Sequence, residues 1–229
     1  MTSTPLQIYQ QYFIPENLAE HMLFTGAISY LICHNWQDLL QNQINPDLVV
    51  KTMLFHDMGN LIKFEISQGR NFQAKTLPLN YFAHYSPADW QAQQKTMIKK
   101  YGKDTDLANY KILKELGLDQ SAIYLKDHSF ERLAELVLEK DNWQEKLILY
   151  CDLRFTPDGL ASVEQRVADL RLRYQHRDDT WKDSTIYAQR VANSLKLEEQ
   201  LDQCTLINLK QITKAQVVEQ ALQLLHSSI

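Results

Sequence analysis

A histidine and an aspartate stand side by side at His56-Asp57, after an apolar run that starts at Leu48. The spacing of this run predicts a helix that carries the pair near its end and stops before Gly59. Adjacent side chains on a helix are about 100° apart, so both groups can reach one metal ion at the helix edge. An imidazole and a carboxylate suit Mn, Fe, Co, Ni, Zn or Mg better than copper(I) or a metal cluster. Such a pair also occurs by chance at solvated helix ends, so alone it leaves both interpretations open.

A second histidine of interest, His21, lies on the preceding helix. It shares a helical face with Leu18, Thr25 and Ile28, and this face is predicted to lie against the core. His34 is a rival, but thirteen residues of helix rotate it by about 220° from His21, so the two rings point in nearly opposite directions. Because polar residues surround His34, we choose His21, either as a buried core histidine or as a metal ligand.

A carboxylate interrupts another apolar helix at Asp152, within the segment Lys146–Leu153. A buried, unpaired carboxylate is very costly, so Asp152 needs a positively charged partner. A metal ion is one such partner, and the guanidinium of Arg154 or Arg166 is the other. The sequence leaves these alternatives open.

Taken together, His21, His56-Asp57 and the late Asp152 resemble the H…HD…D signature of the HD superfamily of metal-dependent phosphohydrolases. The resemblance covers roughly residues 15–170. It implies an all-α bundle in which His21, His56, Asp57 and Asp152 hold a divalent metal ion that activates water for attack on a phosphate ester. Asp57 would also orient this water, or bridge to a second metal ion.

The chain departs from the family pattern in two ways. Many members carry a lysine directly after the glycine of the motif, and this chain has Asn60 there. Lys63, one turn later, is the predicted replacement as a catalytic and phosphate-binding residue. Members with two metal ions have additional histidines, for which His84 and His128 are the candidates, as ligands or as substrate contacts. We predict one metal ion, because neither histidine has a convincing partner in the sequence.

Basic residues near these positions are candidates for binding phosphate, since arginine contacts oxygen pairs in a bidentate way. They are Lys63, Arg70, Arg154 and Arg166. Arg154 follows Asp152 by two residues and is rotated from it by about 200°, so it must reach around the helix end.

Residues that favour helix starts and helix ends define the bounds of the predicted helices. The first long helix is predicted from Pro15 to about Gln41, Ser86-Pro87 and Ser162 begin later helices, and Gly102 ends one. Residues 67–87 lack any period, which predicts an irregular loop and a candidate lid over the site. No convincing strand is found.

Only six glycines and six prolines occur in 229 residues, which favours long helices. We predict an all-α fold, with an HD-domain-like helical bundle in residues 1–177. Additional C-terminal helices in residues 178–229 would pack on this domain or mediate self-association.

The bulk composition restricts the partners. The net charge is -4 with no basic stripe, which disfavours a nucleic-acid partner. Three scattered cysteines, Cys33, Cys151 and Cys204, favour a reducing cytoplasm and are predicted to be buried. The N-terminus lacks a signal-peptide pattern and no apolar stretch reaches a membrane span, so we predict a cytoplasmic protein without a membrane partner.

The sequence therefore predicts a metal-dependent phosphohydrolase, either a monoesterase or a diesterase, that acts on a small phosphorylated compound such as a nucleotide. The alternative, favoured by Asn60, is a non-catalytic HD-like module that binds a nucleotide or a protein partner. A third interpretation is a helical scaffold with a chance His-Asp pair, which would hold no stoichiometric metal.

Overall fold

The computed structural model describes residues 3–67 and 72–228, so Arg70, one of the predicted phosphate-binding residues, lies outside the described residues. Within them the fold is all-α, as predicted. The α-helices are α1 (Pro5–Gln11), α2 (Glu16–Cys33), α3 (Pro46–Phe55), α4 (Pro87–Tyr101), α5 (Thr105–Glu115), α6 (Asp119–Tyr124), α7 (Phe130–Leu136), α8 (Trp143–Asp152), α9 (Val163–Tyr174), α10 (Ser184–Asp202) and α11 (Lys214–His226). Short 3₁₀ helices span Asp38–Gln43, Asn60–Lys63, Asp179–Trp181 and Leu209–Gln211.

Two short strands, β1 (Phe155–Thr156) and β2 (Gly159–Leu160), pair antiparallel directly after α8. These strands were not predicted, because two residues cannot display the alternation of polar and apolar side chains that identifies a strand. Gly159, which begins β2 after the turn between them, has a positive φ of 114°, which glycine adopts without steric cost.

The capping signals in the sequence are confirmed. Ser86 accepts a hydrogen bond from the backbone N–H of Asp89 and Pro87 occupies the first turn of α4, while Gly102 ends that helix with a φ of 100°. Ser162 and Gln165 form the capping box of α9. These ends are determined by local hydrogen bonding and backbone conformation, which is why the sequence reveals them.

The first long helix, in contrast, ends at Cys33 rather than near residue 41. Beyond it the chain pairs with a distant segment: the carbonyl of Asn35 accepts the N–H of Leu206, and the N–H of Gln37 donates to the carbonyl of Cys204. These long-range hydrogen bonds replace the helical ones, and nothing local in the sequence signals them.

Helix α2 lies at the centre of the fold and packs against α3, α8 and α11. Its residues are buried around nearly the whole circumference, including Ala19, Leu23 and Ile28. A helix that is buried on all sides presents its polar side chains to other protein groups rather than to water. Any histidine or acid in the middle of α2 must therefore find partners inside the protein.

The C-terminal helices pack on the rest of the chain: α10 contacts α7, α8 and α9, and α11 contacts α1 and α2. Their apolar residues, among them Leu201 and Val217, belong to the same hydrophobic core cluster as those of α2. The boundary near residue 177 stays a prediction.

The predicted irregular segment is non-helical over its described residues 72–86. Two buried carboxylates of α2 hold it in place. Glu20 accepts the backbone N–H groups of residues 75–77 at 2.6 to 3.0 Å, and Glu16 accepts that of Phe82 at 2.6 Å. Charge-assisted hydrogen bonds of this kind satisfy backbone groups that no helix or sheet serves.

All three cysteines are buried and free, as predicted. Across the described part of the chain, none of the helices combines the length and the apolar content that a membrane crossing requires.

Candidate metal centre

Three side chains of types that can bind a metal ion converge in the interior from distant parts of the chain. His21 comes from α2, His56 from the residue that follows α3, and Asp152 from the last position of α8. The two Nε2 atoms lie 2.9 Å apart. Oδ1 of Asp152 lies 3.2 Å from Nε2 of His21 and 3.6 Å from Nε2 of His56.

These separations match those of ligands that share one ion. With metal–nitrogen bonds of about 2.1 Å, neighbouring ligand atoms lie about 3.0 Å apart in an octahedron and about 3.4 Å apart in a tetrahedron. The donor set of two imidazoles and one carboxylate is one that divalent transition metals accept. The buried His21, His56 and Asp152 group can therefore hold a metal ion.

His56 is fixed by its surroundings so that Nε2 faces this group. Its Nδ1 donates to the carbonyl of Met53 at 2.8 Å, so Nε2 is the nitrogen that can bind a metal ion once its proton is released. The side chain of Asn109, on α5, donates to the carbonyl of His56 at 2.6 Å. Gly59 permits this approach, because a Cβ there would lie 2.9 Å from the backbone nitrogen of Asn109.

His21 is held from two sides. Its ring lies 4.8 Å from the ring of His56 and 4.8 Å from that of Phe155, which begins β1. The hydroxyl of Thr25 bonds back to the carbonyl of His21 at 3.1 Å, so one helical turn of α2 is pinned beside the site. His34, the rejected rival, is exposed.

Asp57 lies at the margin of the group. Its Oδ2 is 3.5 Å from Nε2 of His21 and 3.9 Å from Nε2 of His56. Burial raises the pKa of Asp57, but His56, His21 and Lys63 outweigh it and hold this pKa below its ordinary value. Asp57 is thus an ionised carboxylate, and it lines the cleft described below.

Asp152 has both of the partners that the sequence left open. Besides the two imidazoles, the guanidinium of Arg166 on α9 contacts its two carboxylate oxygens at 3.3 and 3.2 Å. Burial raises the pKa of Asp152, but the charge of Arg166 and the hydrogen bonds from His21 and His56 outweigh it and hold this pKa well below its usual range. An arginine partner and a metal site are therefore compatible here.

The two carboxylates in turn favour a proton on His56. Burial lowers the pKa of its imidazole, but the charges of Asp57 and Asp152 and the bond to the Met53 carbonyl raise this pKa to about 9. The metal-free group is consequently a cationic imidazole held between two carboxylates. A metal ion that binds here replaces that proton.

Lys63 reaches the site through the 3₁₀ helix Asn60–Lys63. Residues three apart lie on the same face of a 3₁₀ helix, so Lys63 stands directly above Asn60, and both line the cleft. Lys63 therefore lies on the same face as Asn60, the position at which many HD proteins carry a lysine.

His128 lies beside the metal group, with Nε2 4.0 Å from Oδ2 of Asp152. Neither ring nitrogen has a hydrogen-bond partner among the described residues, and burial lowers the pKa of the imidazole. His128 lines the cleft, and its role as a ligand or a substrate contact stays a prediction.

Two predicted substrate-binding residues lie elsewhere. His84 is exposed beside Tyr85 and does not line the cleft. Arg154 is buried and turned away from Asp152, where it donates to the carbonyls of Ala161 and Leu209 and to the hydroxyl of Tyr150. The rotation of about 200° between Arg154 and Asp152 directs it toward the C-terminal segment rather than around the helix end.

A cleft of about 910 Å³ opens from the metal group. This volume is at the upper end of the range for small-molecule sites. Among the residues that line it and were not predicted are Arg173, Tyr174 and Arg177. Their spacing from Arg166 is helical and could have revealed them.

Comparisons with protein-family models, with curated proteins and with solved structures found no match for this chain. The resemblance to the HD superfamily rests on the residues themselves, and the activity that it implies stays a prediction.

Proposed function

We propose that this chain is a metal-dependent phosphohydrolase that cleaves a small phosphorylated compound, of which a nucleotide is one example. The observation that carries the proposal is the convergence of His21, His56 and Asp152 at a cleft that Lys63 also lines. A deeply placed group of metal ligands that opens into a cleft of ligand size is the arrangement expected of a metal-assisted hydrolase.

Each residue has a role in this proposal. His21, His56 and Asp152 hold the divalent ion, which is one of Mn, Fe, Co, Ni, Zn or Mg. When bound, such an ion supplies a Lewis acid that activates water and polarises a phosphoryl group. Asp57 is ionised and faces the cleft, so it can orient the attacking water and accept its proton.

Lys63 completes the site by placing a positive charge on the cleft wall. It neutralises the phosphoryl oxygens as charge builds up on them. The products of the reaction are inorganic phosphate and an alcohol from a monoester, or a monoester and an alcohol from a diester. The free, buried cysteines suit a reducing cytoplasm as the compartment.

A second candidate function is a metal-holding module that binds a phosphorylated ligand without turnover. The neutral Asn60, on the cleft wall where many HD proteins carry a lysine, favours it. The two functions share the metal group and differ in whether phosphate is released.

The test is phosphate release from a panel of nucleotides, phosphomonoesters and phosphodiesters, with each of the six metals in turn. Diesters are assayed with an added phosphatase. We expect metal-dependent turnover that the Asp57→Ala variant lacks and the matched His34→Gln variant retains, since His34 is exposed and remote.

Metal content of the purified variants separates the remaining outcomes. Stoichiometric metal that depends on His56, without turnover of any substrate, would establish the binding module. Metal content unchanged in His56→Gln would refute both functions and leave a hydrogen-bonded cluster with a structural role.

A further inference from the structure

Three arginines form a stripe along the wall of the cleft, which we call the α9 stripe: Arg166, Arg173 and Arg177. Seven residues of helix correspond to a rotation of about -20°, so Arg166 and Arg173 share one face of α9. Arg177 lies in the turn that follows α9 and lines the same cleft. A rise of 1.5 Å per residue places Arg173 about 10 Å along the helix from Arg166. The stripe therefore leads away from the metal group.

The cleft walls carry both acidic and basic residues, and their numbers differ once the residues with partners inside the protein are set aside. Its basic residues are Lys63, Lys75, Arg166, Arg173 and Arg177, and its acidic residues are Glu20, Asp57, Glu65, Asp106 and Asp152. Asp57 and Asp152 belong to the metal group, and Glu20 is occupied by three backbone N–H groups. Arg166 pairs with Asp152, and Lys75 pairs with Asp158 outside the cleft lining. This leaves Glu65 and Asp106 against Lys63, Arg173 and Arg177, so the outer cleft carries a small excess of positive charge that favours an anion.

The outer arginines are available to a ligand. Arg173 pairs with Asp169 at 2.7 Å on its own helix, and Arg177 lies 3.7 Å from Glu65. Both arginine side chains are exposed to 40% or more, and exposed pairs of this kind contribute little free energy. An anion that arrives with two oxygens can replace such a partner at small cost.

An apolar surface separates the two charged ends. Leu170 and Tyr174 lie on the same face of α9 as the stripe and line the cleft with it. Phe130 and Trp181, whose rings meet edge to face at 5.3 Å, contribute further apolar lining. A ligand that spans the cleft can thus lay an uncharged middle part on this surface.

We propose that the cleft accepts a substrate with two separated anionic groups, one at the metal group and the other at Arg173 and Arg177. The class is a bis-phosphorylated compound whose phosphates are held apart by a spacer, rather than a simple monophosphate. The position of the first group rests on the proposed function, whereas the second site rests on the α9 stripe alone.

The experiment measures binding, so that turnover is not required. Calorimetric titration of the metal-loaded chain compares octane diphosphonate with octylphosphonate, and propane diphosphonate with propylphosphonate. We expect the long diphosphonate to bind about tenfold more tightly than its monophosphonate, as one charge-assisted contact provides, and the short one to show no such gain.

Two matched variants locate the second site. Arg173→Gln removes the gain of the long diphosphonate and leaves octylphosphonate binding unchanged. Arg171→Gln removes the same charge from another face of α9, where Arg171 stacks on Tyr187 at 4.3 Å, and retains the gain.

Equal affinity of the wild type for octane diphosphonate and octylphosphonate, or a gain that survives in Arg173→Gln, would overturn the proposal. If the tighter binding of octane diphosphonate depends on Arg173 but persists in the metal-free chain, the result would support the α9 stripe and refute the proposed function. Binding of no probe at all would overturn both.

Discussion

Metal binding to this chain should release a proton from His56, because its imidazole is charged in the metal-free protein. Asp57 and Asp152 raise the pKa of His56 to about 9, although burial alone would lower it. A metal ion requires the neutral imidazole, so it competes with that proton. The apparent metal affinity therefore rises with pH until the pH exceeds about 9.

The expected magnitude follows from this pKa. Between pH 6 and pH 8 the protonated form of His56 dominates throughout, so the affinity should rise about tenfold per pH unit, or about a hundredfold in all. A single imidazole with an ordinary pKa of about 6.5 would give a rise of only about fourfold over the same range. The two cases are well separated.

The assay is calorimetric titration of the metal-free chain with Zn²⁺ or Co²⁺, in buffers of different ionisation enthalpy at each pH. We expect about one proton released per ion at pH 7, and none from the His56→Gln variant. A wild-type affinity that rises only about fourfold would show that His56 is neutral in the folded protein and that our account of the site is wrong.

Stability of the metal-free chain provides a second readout of the same proton. Because the pKa of His56 is raised on folding, its contribution is fully present below pH 6.5 and is lost as the pH rises through about 9. The melting temperature of the wild type should fall over this range relative to that of His56→Gln.

Three further predictions concern the supports of the site. Gly59→Ala places a Cβ against the backbone of α5 and should cost about 1–3 kcal/mol of unfolding free energy, measured by urea denaturation; an unchanged midpoint would contradict the close approach. Glu20→Gln weakens the acceptor of three backbone N–H groups, so limited proteolysis should cut residues 72–86 faster, and equal cutting would argue against the anchor. Glu198 is buried and contacts both the buried Arg154 at 3.7 Å and the exposed Lys210 at 3.6 Å. Glu198→Leu leaves the charge of Arg154 unpaired and should cost about 3 kcal/mol of unfolding free energy, whereas Lys210→Ala should cost less than about 1 kcal/mol. Similar losses in thermal unfolding would refute this distinction.

Helical phase was sufficient to choose among the histidines. The rotation between His21 and His34 predicts that only one of them faces the interior, and the structure buries His21 and exposes His34. Asp152 was identified by a different local argument, the free-energy cost of an unpaired carboxylate in an apolar helix. Local rules work here because His21 and Asp152 are placed by the helices that carry them.

The residues that the sequence misplaced depend on distant contacts. Arg154 is directed by the carbonyls of Ala161 and Leu209, which no local pattern reveals. The early end of α2 depends on pairing with residues 204–206 in the same way. The helical spacing of Arg173 from Arg166 was visible in the sequence, but the structure was needed to show that α9 lies along the cleft.

The order in which the ribosome delivers these helices bears on when the metal centre can form. His21 and His56 emerge early, but Asp152 follows 96 residues after His56, which at ordinary rates of synthesis takes roughly 5–20 s. The anchor of Arg154 at Leu209 and the packing of α11 on α2 come later still. A nascent chain therefore carries two imidazoles without the carboxylate that completes their site. Selective metal binding by all three side chains can begin only after synthesis of the later helices.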